Sequence, residues 1–190
     1  MEAVFITDTH FNNDNVQQVN DVFAQAILLA QKSTRKTLIH FGDWFTNRTG
    51  QSLTTLMAVF NILNEAQKAG IGILTIPGNH DKTDLEDENS YMEPFSNHPA
   101  LSLFNKESRV SLNSTTELIF LPYFLENGSY GERLEAASGF TRKNKQNILC
   151  THITLSGVRN NDGSVQRNNL LEERFEKFDM VLSGHYHNRS

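Results

Sequence analysis

The sequence contains little cysteine and no long hydrophobic run. Its 190 residues include one cysteine, Cys150, so an internal disulfide and a cysteine-rich metal cage are both excluded. Cys150 lies in an apolar segment, and we expect it to be a small buried core residue rather than a reactive thiol. The chain enters its first apolar segment at residue 3 without a basic leader. We therefore expect no signal peptide, no membrane span and a cytoplasmic location.

The sequence also lacks an excess of positive charge. It has 17 lysine and arginine residues against 22 aspartate and glutamate residues, for a formal net charge of -5. This balance argues against a generally basic nucleic-acid-binding surface. It does not exclude an anionic substrate, because two bound divalent ions would concentrate positive charge at one point. The length predicts a single domain over residues 1–190.

The apolar pattern of the first 76 residues predicts alternating strands and helices. Strands are expected at residues 3–7, 37–41 and 71–76, and helices at residues 16–31 and 53–66. A polar loop at residues 12–15 can cap the first helix. This order is typical of a parallel sheet covered by helices, in which ligands collect beyond the carboxyl ends of the strands. Asp8, Asp43 and Asn79 all follow such ends.

The second half of the chain has a less regular pattern. It predicts a hairpin at residues 109–112 and 117–121, a partly helical stretch at 130–146, a short helix at 170–178, and strands at 147–151 and 180–183. The last two strands present His152 and His185. The acidic run at residues 84–88 is expected to be a solvated loop.

Five short motifs carry residue types that bind metal ions. They are Asp8-Thr9-His10, Gly42-Asp43, Gly78-Asn79-His80-Asp81, the isolated His152, and Gly184-His185-Tyr186-His187. Each alone is more often an ordinary turn, but together they supply carboxylate, imidazole and amide ligands. This mixture suits manganese, iron or zinc in an open, catalytic site. Two such ions, bridged by one carboxylate, suit phosphoester hydrolysis because they acidify a bound water and neutralise phosphate oxygens.

In this order the motifs resemble the calcineurin-like metallophosphoesterase superfamily over almost the whole chain. The resemblance implies an α/β fold with a central β-sandwich flanked by helices, in four α/β/β/α layers. Because family members continue with further strands, it also implies that the last strands are missing here.

The same resemblance assigns roles to the motif residues. One ion would be held by Asp8, His10, Asp43 and His187, and the other by Asp43, Asn79, His152 and His185. Asp43 would bridge the ions, and a metal-bound hydroxide would be the nucleophile. His80 would contact the scissile phosphate as a general acid without binding metal, and Asp81 would orient its loop.

Two segments, residues 42–45 and 77–83, are most similar to the SbcD-like DNA-repair exonuclease branch. This similarity implies manganese-dependent cleavage of DNA and an SMC-like ATPase partner. We expect residues 1–190 to leave no room for the DNA-capping and ATPase-docking regions of that branch, and Thr46 replaces a histidine that some members carry. A phosphomonoesterase, a small cyclic-nucleotide phosphodiesterase and a catalytically silent scaffold are the alternatives. The sequence gives no indication of the oligomeric state.

Five residues outside the ligand set are candidate substrate contacts. They are Trp44, Arg48, Lys82, Arg159 and Arg167. Trp44 either lines the site or stacks on a base. The four basic residues, if they are not simply solvated surface charges, could guide a polyanion to the metals. His40 is expected to be a packed or hydrogen-bonded core histidine.

Overall fold

The computed structural model describes residues 3–158, 163–165, 167–168 and 170–185. Eight strands lie within these ranges: β1 (Val4–Ile6), β2 (Thr37–His40), β3 (Gly72–Thr75), β4 (Leu101–Leu103), β5 (Ser108–Ser111), β6 (Thr116–Leu121), β7 (Gln146–His152) and β8 (Met180–Gly184). The α-helices are α1 (Val16–Gln31), α2 (Leu53–Lys68) and α3 (Tyr130–Ser138), and short 3-10 turns lie at Asn79–Asp81, Glu93–Phe95 and Glu172–Phe175. No helix of the described ranges is long and apolar enough to cross a membrane.

The helices α1 and α2 form where apolar residues recur at three- and four-residue spacing. Each buries one face and exposes the other, as this spacing requires. Ser52 caps α2, since its Oγ accepts the backbone N–H of Thr55 at 3.2 Å. Asn15 at the start of α1 makes no such cap. Its side chain donates instead to the His10 carbonyl at 2.9 Å, so the loop before α1 is fixed to the turn after β1.

The strands form two sheets of four. Sheet 1 has the order β1-β2-β3-β4 and is parallel throughout, while sheet 2 has the order β5-β6-β7-β8. In sheet 2 the β5-β6 pair is an antiparallel hairpin, and β6, β7 and β8 run parallel. The hairpin is confirmed in position and type. β4 is missing from the sequence prediction.

Three apolar clusters separate four layers. One cluster joins α1 and α2 to the outer face of sheet 1, a second lies between the sheets, and a third joins sheet 2 to α3. Neighbouring residues of one strand face opposite clusters: Leu38 faces the helices and Ile39 faces sheet 2. Cys150 lies in the cluster between the sheets and is fully buried, as expected. The α/β/β/α arrangement predicted from the resemblance is confirmed.

Two segments differ from the sequence prediction. The stretch expected to be a helix at residues 170–178 contains only the 3-10 turn Glu172–Phe175. In the acidic run, Glu86 is not simply solvated: its carboxylate accepts the backbone N–H groups of Leu125 and Ser129, at 3.0 and 3.3 Å. Glu88 also pairs with Arg133 at 3.3 Å. Glu86 and Glu88 of the acidic run therefore fix the N-terminal end of α3 in place.

Candidate metal centre

Five strand ends bring the candidate ligands to one edge of the sandwich. Residues after β1, β2 and β3 come from sheet 1, and His152 and His185 come from the ends of β7 and β8 in sheet 2. Within sheet 2, β7 and β8 are in register up to the His152–Gly184 pair, so their two ends lie side by side. Ligands distant in sequence therefore meet because both sheets direct the carboxyl ends of these strands to the same edge.

The turns after β1 and β2 are hydrogen-bonded to each other. The backbone N–H of Asp8 donates to the Gly42 carbonyl at 3.1 Å, and that of His10 donates to the Asp43 carbonyl at 3.0 Å. Asp8, His10 and Asp43 all have positive φ, at 53°, 48° and 57°. Aspartate and histidine are among the side chains that tolerate this region, and such local strain is typical of functional sites.

Asp8 links this pair of turns to sheet 2. Both of its carboxylate oxygens lie 3.1 Å from the backbone nitrogen of His185, which donates to them. The Thr7 hydroxyl donates to Asp8 Oδ2 at 2.6 Å. The first and the last strand ends of the described chain are thus joined through one carboxylate.

Asp43 lies at the centre of the cluster. Its Oδ2 is 3.2 Å from His152 Nε2 and 3.6 Å from His10 Nε2, and its Oδ1 accepts the backbone N–H of His80 at 2.9 Å. Burial alone would raise the pKa of Asp43, but the charge of His152 and its hydrogen bond outweigh burial and hold that pKa below its usual range. Asp43 is therefore a carboxylate with imidazoles on two sides, as a bridging ligand requires.

Asn79 presents its amide oxygen to the histidines of sheet 2. Its Oδ1 lies 3.2 Å from His152 Nε2 and 2.8 Å from His185 Nδ1. Burial, with the neighbouring charge of His152, lowers the pKa of His185 to about 4. The His185 ring is therefore neutral near pH 7, which is the form that binds metal.

Two of the histidines are oriented through the nitrogen that faces away from the cluster. His10 Nδ1 lies 3.3 Å from the Phe45 carbonyl, and His152 Nδ1 lies 2.6 Å from the Phe41 carbonyl. Because a carbonyl only accepts, each Nδ1 donates a proton to it, which leaves Nε2 of each ring facing Asp43 and available to a metal ion when it is unprotonated. This arrangement is common among metal-binding histidines.

The donor set fits divalent ions. Among the described residues, ligand atoms of His10, Asp43 and His80 lie within 4.8 Å of one another, and so do those of Asp43, His152 and His185. Asp43 belongs to both groups, so the geometry offers two adjacent positions that share one carboxylate. His80 lies close enough to His10 and Asp43 to be a ligand as well as a neighbour of the site.

Close backbone packing leaves room at the turns only for glycine. A Cβ at Gly78 would lie inside contact distance of the Asp43 carboxylate, and one at Gly42 would meet the backbone of Gly78.

Asp81 supports the same turns from behind. Its buried carboxylate accepts the backbone N–H groups of Asp43, Gly78 and Phe45 at 2.8, 2.9 and 3.1 Å. Burial and the charge of Asp43 raise the pKa of Asp81 to about 7.

A family model for calcineurin-like phosphoesterases matches residues 1–189. The chain belongs to the calcineurin-like phosphoesterase family. Its members are phosphoester hydrolases that typically bind divalent metals, and the described residues contain two candidate ligand groups that share Asp43.

Two curated relatives match this phosphoesterase chain. The DNA double-strand break repair protein Mre11 of Saccharolobus solfataricus is 25% identical over 198 aligned positions, which cover 100% of this chain and 50% of that protein. Exonuclease subunit 1 of Enterobacteria phage T4 is 27% identical over 170 positions, covering 88% of this chain and 48% of the phage protein. The chain thus spans about half the length of the relatives it matches.

Two of the predicted substrate contacts are buried in the phosphoesterase core. Trp44 is 0% exposed, and its ring stacks on His40 at 4.3 Å, so it cannot stack on a base. Lys82 is also 0% exposed. Its ammonium donates to the carbonyls of Asp87 and Tyr123 at 2.8 and 2.7 Å and lies over the Phe124 ring. Both predictions were wrong because each side chain turns inwards from its motif, which the sequence alone does not reveal.

The other predicted contacts have different outcomes. Arg48 is half-buried, and among the described residues its Nε has no hydrogen-bond partner. Arg167 is exposed and is not one of the residues that line the cleft described below. Arg159 and the predicted ligand His187 lie outside the described residues.

Three polar residues that were not predicted as site residues line the cleft in front of the cluster. This open cleft of about 440 Å³ is bounded by His10, Asn12, Asn15, Asp43, Thr46, His80 and His185. Asn12, Asn15 and Thr46 provide its polar wall. Thr46 donates its hydroxyl to the His10 carbonyl at 2.6 Å. The sequence did offer one indication that these three residues line the site: they lie within a few positions of the Asp8-Thr9-His10 and Gly42-Asp43 motifs.

Proposed function

We propose that this phosphoesterase is a two-metal phosphodiesterase that cleaves DNA with manganese. The observation that carries the proposal is Asp43, whose carboxylate belongs to both groups of candidate ligands. Bound divalent ions would neutralise phosphate oxygens and lower the pKa of a coordinated water. Asp8, His10, Asp43 and His187 would hold one ion, and Asp43, Asn79, His152 and His185 the other.

The proposed role of His80 is to protonate the leaving oxygen of the phosphodiester. His80 Nδ1 lies 2.6 Å from the Thr46 carbonyl, so the Nδ1 proton is held there. Proton transfer then falls to Nε2, and His80 lines the cleft. The His80 and His10 rings meet edge to face with centroids 4.9 Å apart, which limits rotation of the His80 ring. A fixed imidazole next to the phosphate site suits general acid catalysis at neutral pH.

DNA is preferred as the substrate because both matched relatives bear names that refer to DNA repair or to an exonuclease. The cleft is open, as a polymer requires. Arg48, Arg159 and Arg167 are proposed as phosphate contacts, with Arg48 the best supported because of its unpartnered buried Nε. We further propose that residues 1–190 fold as one domain, that an SMC-like ATPase is the partner, and that the protein is cytoplasmic.

A manganese-dependent activity panel tests this function. Linear duplex DNA, single-stranded DNA, bis(p-nitrophenyl) phosphate and p-nitrophenyl phosphate are incubated with the protein and Mn²⁺, with and without chelator. We expect cleavage of DNA and of the diester, and loss of both with chelator or in Asp43→Ala. A clear preference for the monoester would contradict the diesterase assignment and indicate a phosphomonoesterase. Failure of manganese-supplemented protein to retain metal would indicate a silent scaffold.

A further inference from the structure

His40 joins the two ligand-bearing turns of sheet 1 from behind. It is the last residue of β2 and is fully buried. Its Nδ1 accepts the backbone N–H of Gly42 at 3.2 Å, and its Nε2 lies 3.0 Å from the hydroxyl of Thr9. Thr9 stands between Asp8 and His10, and Gly42 directly precedes Asp43. One imidazole therefore bridges the two motifs that supply three of the ligands proposed for one ion.

The two hydrogen bonds of the His40 ring determine its tautomer. A backbone N–H can only donate, so His40 Nδ1 is unprotonated and Nε2 carries the proton that it gives to Thr9. Burial lowers the pKa of His40 to about 3, which agrees with a neutral ring. In this tautomer one nitrogen accepts from one turn and the other donates to the second turn. A purely apolar core residue could do neither.

Aromatic packing holds the His40 ring in place. Trp44 stacks on one side with centroids 4.3 Å apart and an interplanar angle of 25°, and the Phe23 ring lies 5.8 Å away and nearly parallel. The Trp44 indole N–H donates to Thr75 Oγ1 at 2.8 Å, and the Thr75 hydroxyl lies 3.1 Å from the His40 carbonyl. Ring and backbone of His40 are both fixed, so the separation of the two turns is fixed as well.

We propose that His40 is a positioning residue that holds the Asp8–His10 turn and the Gly42–Asp43 turn at the separation that one metal ion requires. It touches neither metal nor substrate and acts through Thr9 and Gly42. The inference rests on the proposed metal centre. The effect falls more on one ion than on the other, because the two joined turns carry Asp8, His10 and Asp43 for the first ion but only the shared Asp43 for the second.

Titration of the chelator-treated protein with Mn²⁺, followed by calorimetry, tests this selectivity. His40→Phe keeps a ring for Trp44 to stack on but loses both hydrogen bonds. We expect the affinity for one of the two ions to fall about 10- to 100-fold, as is usual when the partner of a metal ligand is removed. The affinity for the other ion should change less than threefold. His40→Gln restores a donor near the Nε2 position, and we expect it to recover part of the loss.

Two further variants separate positioning from packing. Phe23→Leu removes aromatic packing next to His40 while leaving its hydrogen bonds, so it should lower stability but leave Mn²⁺ affinity within about threefold. Thr9→Val removes the acceptor of the Nε2 proton without entering the core, and should weaken the same ion as His40→Phe. If His40→Phe does not fold, Thr9→Val alone decides the question.

Electron paramagnetic resonance gives a readout other than affinity. Two Mn²⁺ ions that share a bridging carboxylate give a spin-coupled spectrum, and one ion alone gives an uncoupled spectrum. At Mn²⁺ concentrations that fill both sites of the wild type, we expect a coupled spectrum for the wild type and Phe23→Leu, and an uncoupled one for His40→Phe.

The results that would overturn the inference about His40 differ from the result that would overturn the proposed function. Binding of both ions by His40→Phe with wild-type affinity would overturn the inference, and so would an equal loss of both ions in His40→Phe and Phe23→Leu. Unchanged binding by Thr9→Val would overturn it where His40→Phe is unfolded. If the wild type itself binds fewer than two ions, it is the proposed function that fails.

Discussion

The carboxylate of Asp81 lies directly behind the backbone of Asp43, whose N–H donates to Asp81 Oδ2 at 2.8 Å. The same oxygen accepts the N–H of Gly78 at 2.9 Å. A single buried side chain thus joins the turn after β2 to the turn after β3. His40 joins a different pair of turns, those after β1 and β2, so each pair of neighbouring turns that bears ligands in sheet 1 has its own polar link.

We expect removal of the Asp81 carboxylate to weaken metal binding. Asp81→Ala leaves three backbone N–H groups without their acceptor and frees the Asp43 and Asn79 turns to move apart. We expect Mn²⁺ affinity to fall about 10- to 100-fold, measured by calorimetry. Asp21→Asn removes a negative charge from the exposed face of α1 and should leave affinity unchanged. A similar loss in both variants would mean that net charge, and not the link, controls binding.

The glycine at position 78 should be intolerant of a methyl group. Gly78→Ala places a Cβ inside contact distance of the Asp43 carboxylate, so that side chain must leave its position between the histidines. We expect loss of Mn²⁺ binding and a stability decrease of about 1–3 kcal/mol in urea denaturation. Gly72→Ala in β3 is the matched control, since nothing lies within 4 Å of its Cβ. Binding of two ions by the Gly78→Ala variant would refute the packing argument.

His80→Ala separates proton transfer from metal binding. If His80 acts as the general acid, kcat on DNA should fall about 10²- to 10⁴-fold while two Mn²⁺ ions remain bound. Loss of one ion in this variant would show instead that His80 is a ligand beside His10 and Asp43. His98→Ala provides a control histidine, because His98 packs against Phe60 of α2. Rapid-quench kinetics and metal analysis of the same samples make the comparison.

The buried ammonium of Lys82 predicts a pH dependence of stability. Burial, followed by the nearby charge of Arg133, lowers the pKa of Lys82 to about 8. Between pH 8 and the ordinary lysine pKa near 10.5, the unfolded chain binds more protons than the folded one, so this group makes stability rise with pH. From about pH 7.5 to about pH 10 we expect a gain of about 2 kcal/mol relative to Lys82→Met.

Urea denaturation of both proteins with chelator present measures this difference. The Lys82→Met variant lacks the titrating group but keeps an unbranched apolar side chain of similar length. Parallel pH curves for the two proteins would show that Lys82 keeps its ordinary pKa in the folded state.

The sequence predicted the candidate ligands well because metal-binding residue types directly follow or end the predicted strands. Each predicted ligand of the described chain follows or ends a strand, and the carboxyl ends of parallel strands meet at one edge. The sequence pattern alone therefore places Asp8, Asp43 and Asn79 together. The bounds of α1 and α2 followed from long, regular apolar stripes, which leave little ambiguity.

The direction of individual side chains was not predictable. Trp44 and Lys82 lie within or directly after site motifs, yet both point into the core, because the turns that present Asp43 and His80 send these side chains the opposite way. The role of Glu86 was missed for a related reason. Its partners are backbone N–H groups 39 and 43 residues further along the chain, and such contacts leave no local pattern.

The candidate ligands come from both sheets of the sandwich. An ion held between Asp43 of sheet 1 and His152 of sheet 2 would fasten together two layers whose other contacts are largely apolar. Since ions bind only the folded arrangement, each tenfold rise in free ion above its dissociation constant adds about 1.4 kcal/mol to the free energy of unfolding. Divalent-ion supply would therefore govern the lifetime of this protein against proteolysis: a cell short of the metal would lose the enzyme itself as well as its activity.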